Sequence, residues 1–173
     1  MMCMKTVENR PFVTIDLEPA LQDFLFHEFG QTKNKDGVVI SCTHDIGKMI
    51  QSMVTITDKP RKQELGDHPI NIYVPIQSWN HSIFRENFIY IPEWKQVQLR
   101  MYIEAYFKMK VQAYFQAGHE KGYRQDHIIE GFLAAYNIKN CVFTFAQLKQ
   151  MDYRYRRRII KEVSEDIKSA IVE

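Results

Sequence analysis

The chain has 173 residues, 45% apolar and 25% charged, with a net charge of +2. That length fits one domain or two small ones and can bury a hydrophobic core without disulfides. Its three cysteines, Cys3, Cys42 and Cys141, are scattered with no CxxC pair, which argues against a disulfide framework or zinc ribbon and for a reducing, cytoplasmic setting.

Residues 1–10 read as a short lead without the apolar run of a signal peptide, and no uncharged apolar stretch reaches membrane-span length. Phe12, Val13, Ile15 and Leu17 predict a strand. Pro19 suits a first helical turn, Leu21, Phe24, Leu25 and Phe29 keep a helical period, and Gly30 is a natural stop. After a polar turn, Gln31 to Gly37, Val38 to Ile40 predict a second strand. Thr43 is the expected cap of a helix whose apolar positions are Ile46, Met49, Ile50 and Met53. Thr57 to Pro69 predicts a loop. Ile70, Ile72, Val74 and Ile76 alternate with Asn71, Tyr73 and Pro75, which predicts a half-buried strand, placed at an edge by Pro75. Ser78 to Ile91 is ambiguous, with a short strand at Phe88 to Ile91.

Pro92 to about Ala117 predicts a long helix ended by Gly118 and Gly122. Its apolar residues, among them Trp94, Val97, Met101, Ile103, Phe107, Val111 and Phe115, spread around most of the wheel. That pattern fits a central scaffold; if residues 92–117 instead form an interface, a two-fold homodimer is the default. The expected fold class is α+β: a small mixed region, residues 1–90, with about three strands and two helices, then an all-helical region, residues 91–173, the two being separate or one continuous domain.

Charge is unevenly spread. Residues 1–90 hold nine Lys/Arg against eleven Asp/Glu; residues 91–173 hold fourteen against ten. Between Lys139 and Lys161 stand seven cations and one acid, Asp152. This block lies in a two-helix unit, residues 126–161. Asp126 is the expected cap of a helix over His127 to Tyr136, Asn137 the left-handed stop, and Ile138 the residue that folds back on Leu133. Thr144 with Gln147 reads as a capping box, and Phe143 with Leu148 as its hydrophobic staple. On a wheel, Phe145, Leu148, Met151, Tyr155 and Ile159 share one side. The other side holds Gln147, Lys149, Gln150, Tyr153, Arg154, Arg157, Arg158 and Lys161.

Those eight residues are the candidate nucleic-acid contacts. Lys and Arg neutralise phosphate and release counterions, Gln can read adenine, Arg can read guanine, and Tyr can bond phosphate or stack on a base. The residues HIIEGFLAAYNI followed by TFAQLKQMDYRYRRR resemble helix-turn-helix DNA-binding proteins of phages and mobile elements. The resemblance covers residues 126–161. It implies duplex DNA as partner, a role in transcription regulation, and a second helix whose first turns, with Gln147 and Gln150, approach base edges. Two departures stand out: Asn137 replaces the usual small turn residue, and the link to Phe143 is long. The alternative reading is a phage-type structural or assembly protein whose basic face meets an acidic protein partner; a plain solvated face is the simplest explanation of a charge run.

Nothing points to an enzyme, a cofactor or a membrane. No Walker loop, GxGxxG, GxSxG or HExxH motif occurs. His44-Asp45 is similar to the pair in HD metal-dependent phosphohydrolases, with His27 and His68 elsewhere, but helix-dipole compensation explains Asp45 equally well. Tyr153 and Tyr155 among arginines could serve a recombinase-type nucleophile, although contact with phosphate or core is the commoner role. No catalytic residue and no metal ligand is assigned.

Overall fold

The computed structural model describes residues 10–32, 37–61, 66–75, 77, 81–139 and 142–172. Cys3, Ile76 and Cys141, much of the predicted loops, and the side chain of Phe143 with its staple lie outside the described residues. The fold is α+β, with short strands in the N-terminal half and helices dominating the rest. Contacts divide the chain into two units, Met1–Tyr106 and Phe107–Glu173.

In the first unit, β1 (Phe12–Asp16) leads into α1 (Pro19–Phe29), with Pro in the first turn as expected. Gly30 ends α1 at φ 81°, a conformation that costs glycine no Cβ clash. β2 is Gly37–Val39 and α2 is Asp45–Met53. β3 (Thr55–Thr57) falls at the mouth of the predicted loop, β4 is Pro69–Tyr73, α3 is His81–Glu86 and β5 is Phe88–Tyr90. β3 and β5 pair antiparallel. Neither β3 nor α3 was visible in the sequence, because three- to six-residue elements carry too few periodic positions to read.

The other sheet has the order β1-β4-β2. β4 is therefore central, antiparallel to β1 and parallel to β2, and not the edge strand that Pro75 suggested. The reason is local: β4 ends at Tyr73, so Pro75 lies past the ladder and its missing N–H removes no strand bond. The last amide there, Val74 N–H, donates to Pro11 O at 3.0 Å. Register sets Ile72 against Val13 on one side and Val38 on the other, all three buried.

The cap of α2 is His44, not Thr43. His44 Nδ1 accepts from Ile46 N–H at 3.2 Å, while Thr43 Oγ1 is turned to Ser41 Oγ at 2.8 Å. Gly47 lets α2 approach the preceding segment: a Cβ there would lie 2.0 Å from the Ser41 carbonyl oxygen. Alanine in place of Gly47 gains about 1 kcal/mol of helix propensity. It meets backbone that no rotamer change can move, so Gly47→Ala is expected to destabilise the unit by a net ~1–2 kcal/mol. Faster amide exchange in α2 is the readout, and unchanged protection would refute the close approach.

The long helix α4 (Glu93–Glu120) crosses from one unit into the other. Leu99 and Ile103 are buried in the first unit, and Phe107, Val111 and Phe115 in the second, at steps of four residues that wind slowly around the helix. α4 runs through Gly118, which was read as a stop. A Cβ at Gly118 would stand 2.7 Å from Ile128 Cγ1, so this glycine serves close helix packing, and Gly122, at φ 77°, follows the helix end. Trp94, Val97 and Met101 remain exposed on the same helix.

Candidate nucleic-acid interface

The second unit contains the last part of α4 together with α5 (Gln125–Ala135) and α6 (Val142–Val172). Its core is aromatic. Phe132 is fully buried, with ring centroids 5.9 Å from Phe107, 5.4 Å from Tyr114 and 4.5 Å from Tyr136.

α5 starts two residues before the place expected from Asp126. Arg124 takes the cap position without a side-chain cap bond. Gln125 enters the helix with its amide on Asp152 Oδ2, and Asp126, in the first turn, faces Lys149 Nζ of α6 at 3.3 Å. The other end is as the sequence predicts. Asn137 adopts φ 51°. Ile138 N–H donates to Leu133 O at 2.9 Å and Asn137 N–H to Ala134 O at 3.2 Å, a Schellman stop with Ile138 and Leu133 both buried.

α6 begins at Val142, two residues before the expected cap. Thr144 lies inside the first turn and is buried, as is Leu148 one turn on. Thr144 thus stands within the helix and not at the expected cap position. The helix also runs on to Val172, well past Lys161. No Gly or Pro interrupts it, and Arg158–Glu162 (3.6 Å) and Lys161–Glu165 (3.7 Å) continue it with i,i+4 ion pairs.

Of the expected contacts, Lys149, Gln150, Tyr153, Arg154, Arg157, Arg158 and Lys161 are exposed, while Gln147 is half-buried. Gln150, Tyr153, Arg154, Arg157 and Lys161 fall on one stripe within about 100° of the helix circumference. Lys149 sits at one edge, turned to Asp126. Arg158 sits at the other, turned to Glu162, with its guanidinium 5.6 Å from the Tyr155 ring centre. Among the described residues, Arg154 and Arg157 have no carboxylate partner. The signs are thus mixed along α6, and the distal cations are largely paired within the helix.

One residue central to this site was not recognised in the sequence. Asp152, the single acid of the basic block, has a side chain with no exposed surface. It accepts from Gln125 of α5, and lies 3.0 Å from His119 Nε2 of α4 and 3.2 Å from an Arg156 guanidinium nitrogen. His119 also stacks on Phe115, with ring centres 6.2 Å apart. Asp152 therefore joins all three helices and holds α6 with Arg154 and Arg157 turned outward. Its place one turn after Leu148 was the available signal: a lone acid four residues before an arginine at the border of the apolar side.

The His44-Asp45 pair forms no centre. His44 is the α2 cap, packed edge-on to Phe29 (4.8 Å) and Tyr106 (5.3 Å). Lys48 Nζ donates to Asp45 Oδ1 at 2.9 Å and, by that bond and its charge, holds the Asp45 carboxyl below the ordinary aspartate value. That small contribution is present above the unfolded aspartate range and is lost as acid titrates Asp45. Among the described residues no three His, Cys, Asp or Glu side chains gather as a metal site would require. No helix of the described residues is long and apolar enough to cross a membrane.

The fold and site define an α+β chain with a three-helix unit that presents an exposed, basic helix face. No protein-family description matches the sequence, no curated protein is similar to it, and no solved structure matches its fold.

Proposed function

We propose that the chain binds nucleic acid, duplex DNA foremost, along the exposed stripe of α6. The observation that supports this most is the pair Arg154 and Arg157: exposed, one turn apart, without carboxylate partners among the described residues, and on a helix anchored from behind by Leu148 and Asp152. Two cations held in fixed register release counterions from phosphate on contact, which makes binding salt-dependent. Gln150, Tyr153 and Lys161 extend the stripe, with Lys149, Arg158 and Gln147 at its margins. Half-burial of Gln147 favours backbone contact along the helix over base reading by its first turn. A regulatory role, a phage or mobile-element setting and a cytoplasmic location rest on the resemblance of residues 126–161 and on composition. The assembly alternative draws support from exposed Ile160, Val163 and Ile167, which belong to protein contacts more than to phosphate contacts.

The test is equilibrium binding to a labelled duplex over a range of salt concentrations. Arg154→Ala/Arg157→Ala is expected to weaken binding at least about tenfold and to lower the slope of log K against log salt by about 1.8. Wild-type chain with no salt-dependent binding, or a double variant with unaltered affinity, would refute the proposal. Stronger binding to unpaired strands, lost in Tyr153→Ala, would identify single-stranded nucleic acid as the ligand.

A further inference from the structure

The turn between α4 and α5 has a fixed backbone and unused side chains. Tyr123 N–H donates to Gly118 O at 3.0 Å and Gly122 N–H to His119 O at 2.9 Å, with Gly122 at φ 77°. This is a Schellman stop, in which the residue after the glycine ordinarily packs back on the last helical turn. Here the residues it would meet are Ala117 and Gly118, which offer almost no side chain, and Tyr123 is left 62% exposed. Lys121 and Arg124 beside it are exposed as well and have no carboxylate partner among the described residues.

The turn is also tied to α6. His119 before it and Gln125 after it both bond the buried Asp152 carboxylate. No residue between them is more than three from a tied end, at most about 10 Å of chain. At about 100° per residue, Lys149 and Arg156 lie within about 60° of Asp152 on one flank of α6, and Tyr153 and Arg157 follow on that flank at about 100° and 140°. Asp126, at the start of α5, faces Lys149. The turn therefore stands on the side of α6 where the exposed stripe begins.

Charge favours an anion there. Residues 119–126 and 149–157 together hold six Lys/Arg and three Asp/Glu. Asp126 and Asp152 face Lys149 and Arg156. That leaves Lys121, Arg124, Arg154 and Arg157 against Glu120, whose carboxylate accepts from the Gln116 amide at 3.0 Å.

We propose that the α4–α5 turn is a second contact of the nucleic-acid site: Lys121 and Arg124 take phosphates of the duplex that lies on the α6 stripe, and the Tyr123 hydroxyl donates to a phosphate oxygen. The inference rests on the reading of α6 and widens it from one helix face to two elements held in register by Asp152. Cations on two adjacent elements, with an exposed tyrosine on each, suit the repeated phosphates of a nucleic-acid backbone.

The test is binding of the nuclease-treated full chain to a labelled duplex over a range of salt concentrations. Lys121→Ala/Arg124→Ala is expected to weaken binding about tenfold and to lower the slope of log K against log salt by about 1.8, one phosphate for each cation. Combined with Arg154→Ala/Arg157→Ala, the loss of slope should reach about 3.6. Amide protection in α5 should not change, because both replaced side chains are exposed. Lys59→Ala/Lys168→Ala removes the same charge elsewhere and is expected to leave the slope as it was. Tyr123→Phe should weaken binding about threefold without altering the slope, since no charge is lost. If Arg154→Ala/Arg157→Ala weakens binding while Lys121→Ala/Arg124→Ala matches the parent, the turn is no contact and the α6 reading stands. Equal losses of slope in the turn variant and the Lys59/Lys168 variant also overturn the proposal, because net charge alone would explain both. A parent chain without salt-dependent binding overturns the α6 reading and this inference with it. Unaltered affinity in Tyr123→Phe overturns the part given to the tyrosine.

Discussion

Phe132→Ala is expected to cost the second unit about 3–5 kcal/mol, the range for truncating a fully buried aromatic. The ring is the point where three others meet: Phe107 and Tyr114 from α4, both at steep angles, and Tyr136 from the end of α5. Removing it leaves a cavity that its neighbours, themselves large and rigid rings, cannot fill by small shifts. It also removes the edge-to-face contacts, which add stability beyond area burial. The measurement is amide exchange across α5 and the first half of α6, where protection would fall by two or more orders of magnitude if opening of the whole unit governs exchange. Phe132→Leu should recover part of the loss. An alanine variant as protected as the parent would mean that this cluster does not hold the unit together.

Asp152→Ala is the second large effect, expected near 3 kcal/mol. The carboxylate is wholly buried and each of its partners comes from a different helix, so its loss strips acceptors from Gln125 and His119 together. Arg156→Ala should cost less than about 1 kcal/mol, because that guanidinium is half-exposed and Asp152 keeps its other two donors. The order Asp152→Ala much greater than Arg156→Ala, read by thermal unfolding and by exchange in α5, distinguishes a buried junction from a surface ion pair. Equal losses would sink that distinction. If the stripe on α6 contacts phosphate, Asp152→Ala should also weaken DNA binding without removing any contacting residue, because α6 loses the anchor that orients Arg154 and Arg157.

The two ends of the linker between α5 and α6 separate what a sequence can show from what it cannot. Asn137 and Ile138 were legible because a Schellman stop is made by residues within one turn of each other: a residue that tolerates positive φ, followed by an apolar one. The start of α6 was misread for the opposite reason. Thr144 and Gln147 satisfy the pattern of a capping box, but the helix already begins at Val142, which leaves Thr144 buried inside its first turn, and burial is not written in a local pattern. The same contrast holds in the first unit. Pro19 and Gly30 bound α1 as read, whereas Pro75 misled about β4, because the end of a strand depends on where its neighbours stop.

By itself, then, the sequence determined the α+β class, the helices α1, α4 and α5, the stop at Asn137 and the concentration of cations on one side of α6. All of these follow from local periodicity, turn chemistry and charge order. Only the tertiary structure decided that Asp152 is the buried junction of three helices, that Gly118 is a packing position, that β4 is central, and that α6 continues, exposed, beyond Lys161. Each of those depends on residues far apart in the chain, and on which side chains lose water when they meet.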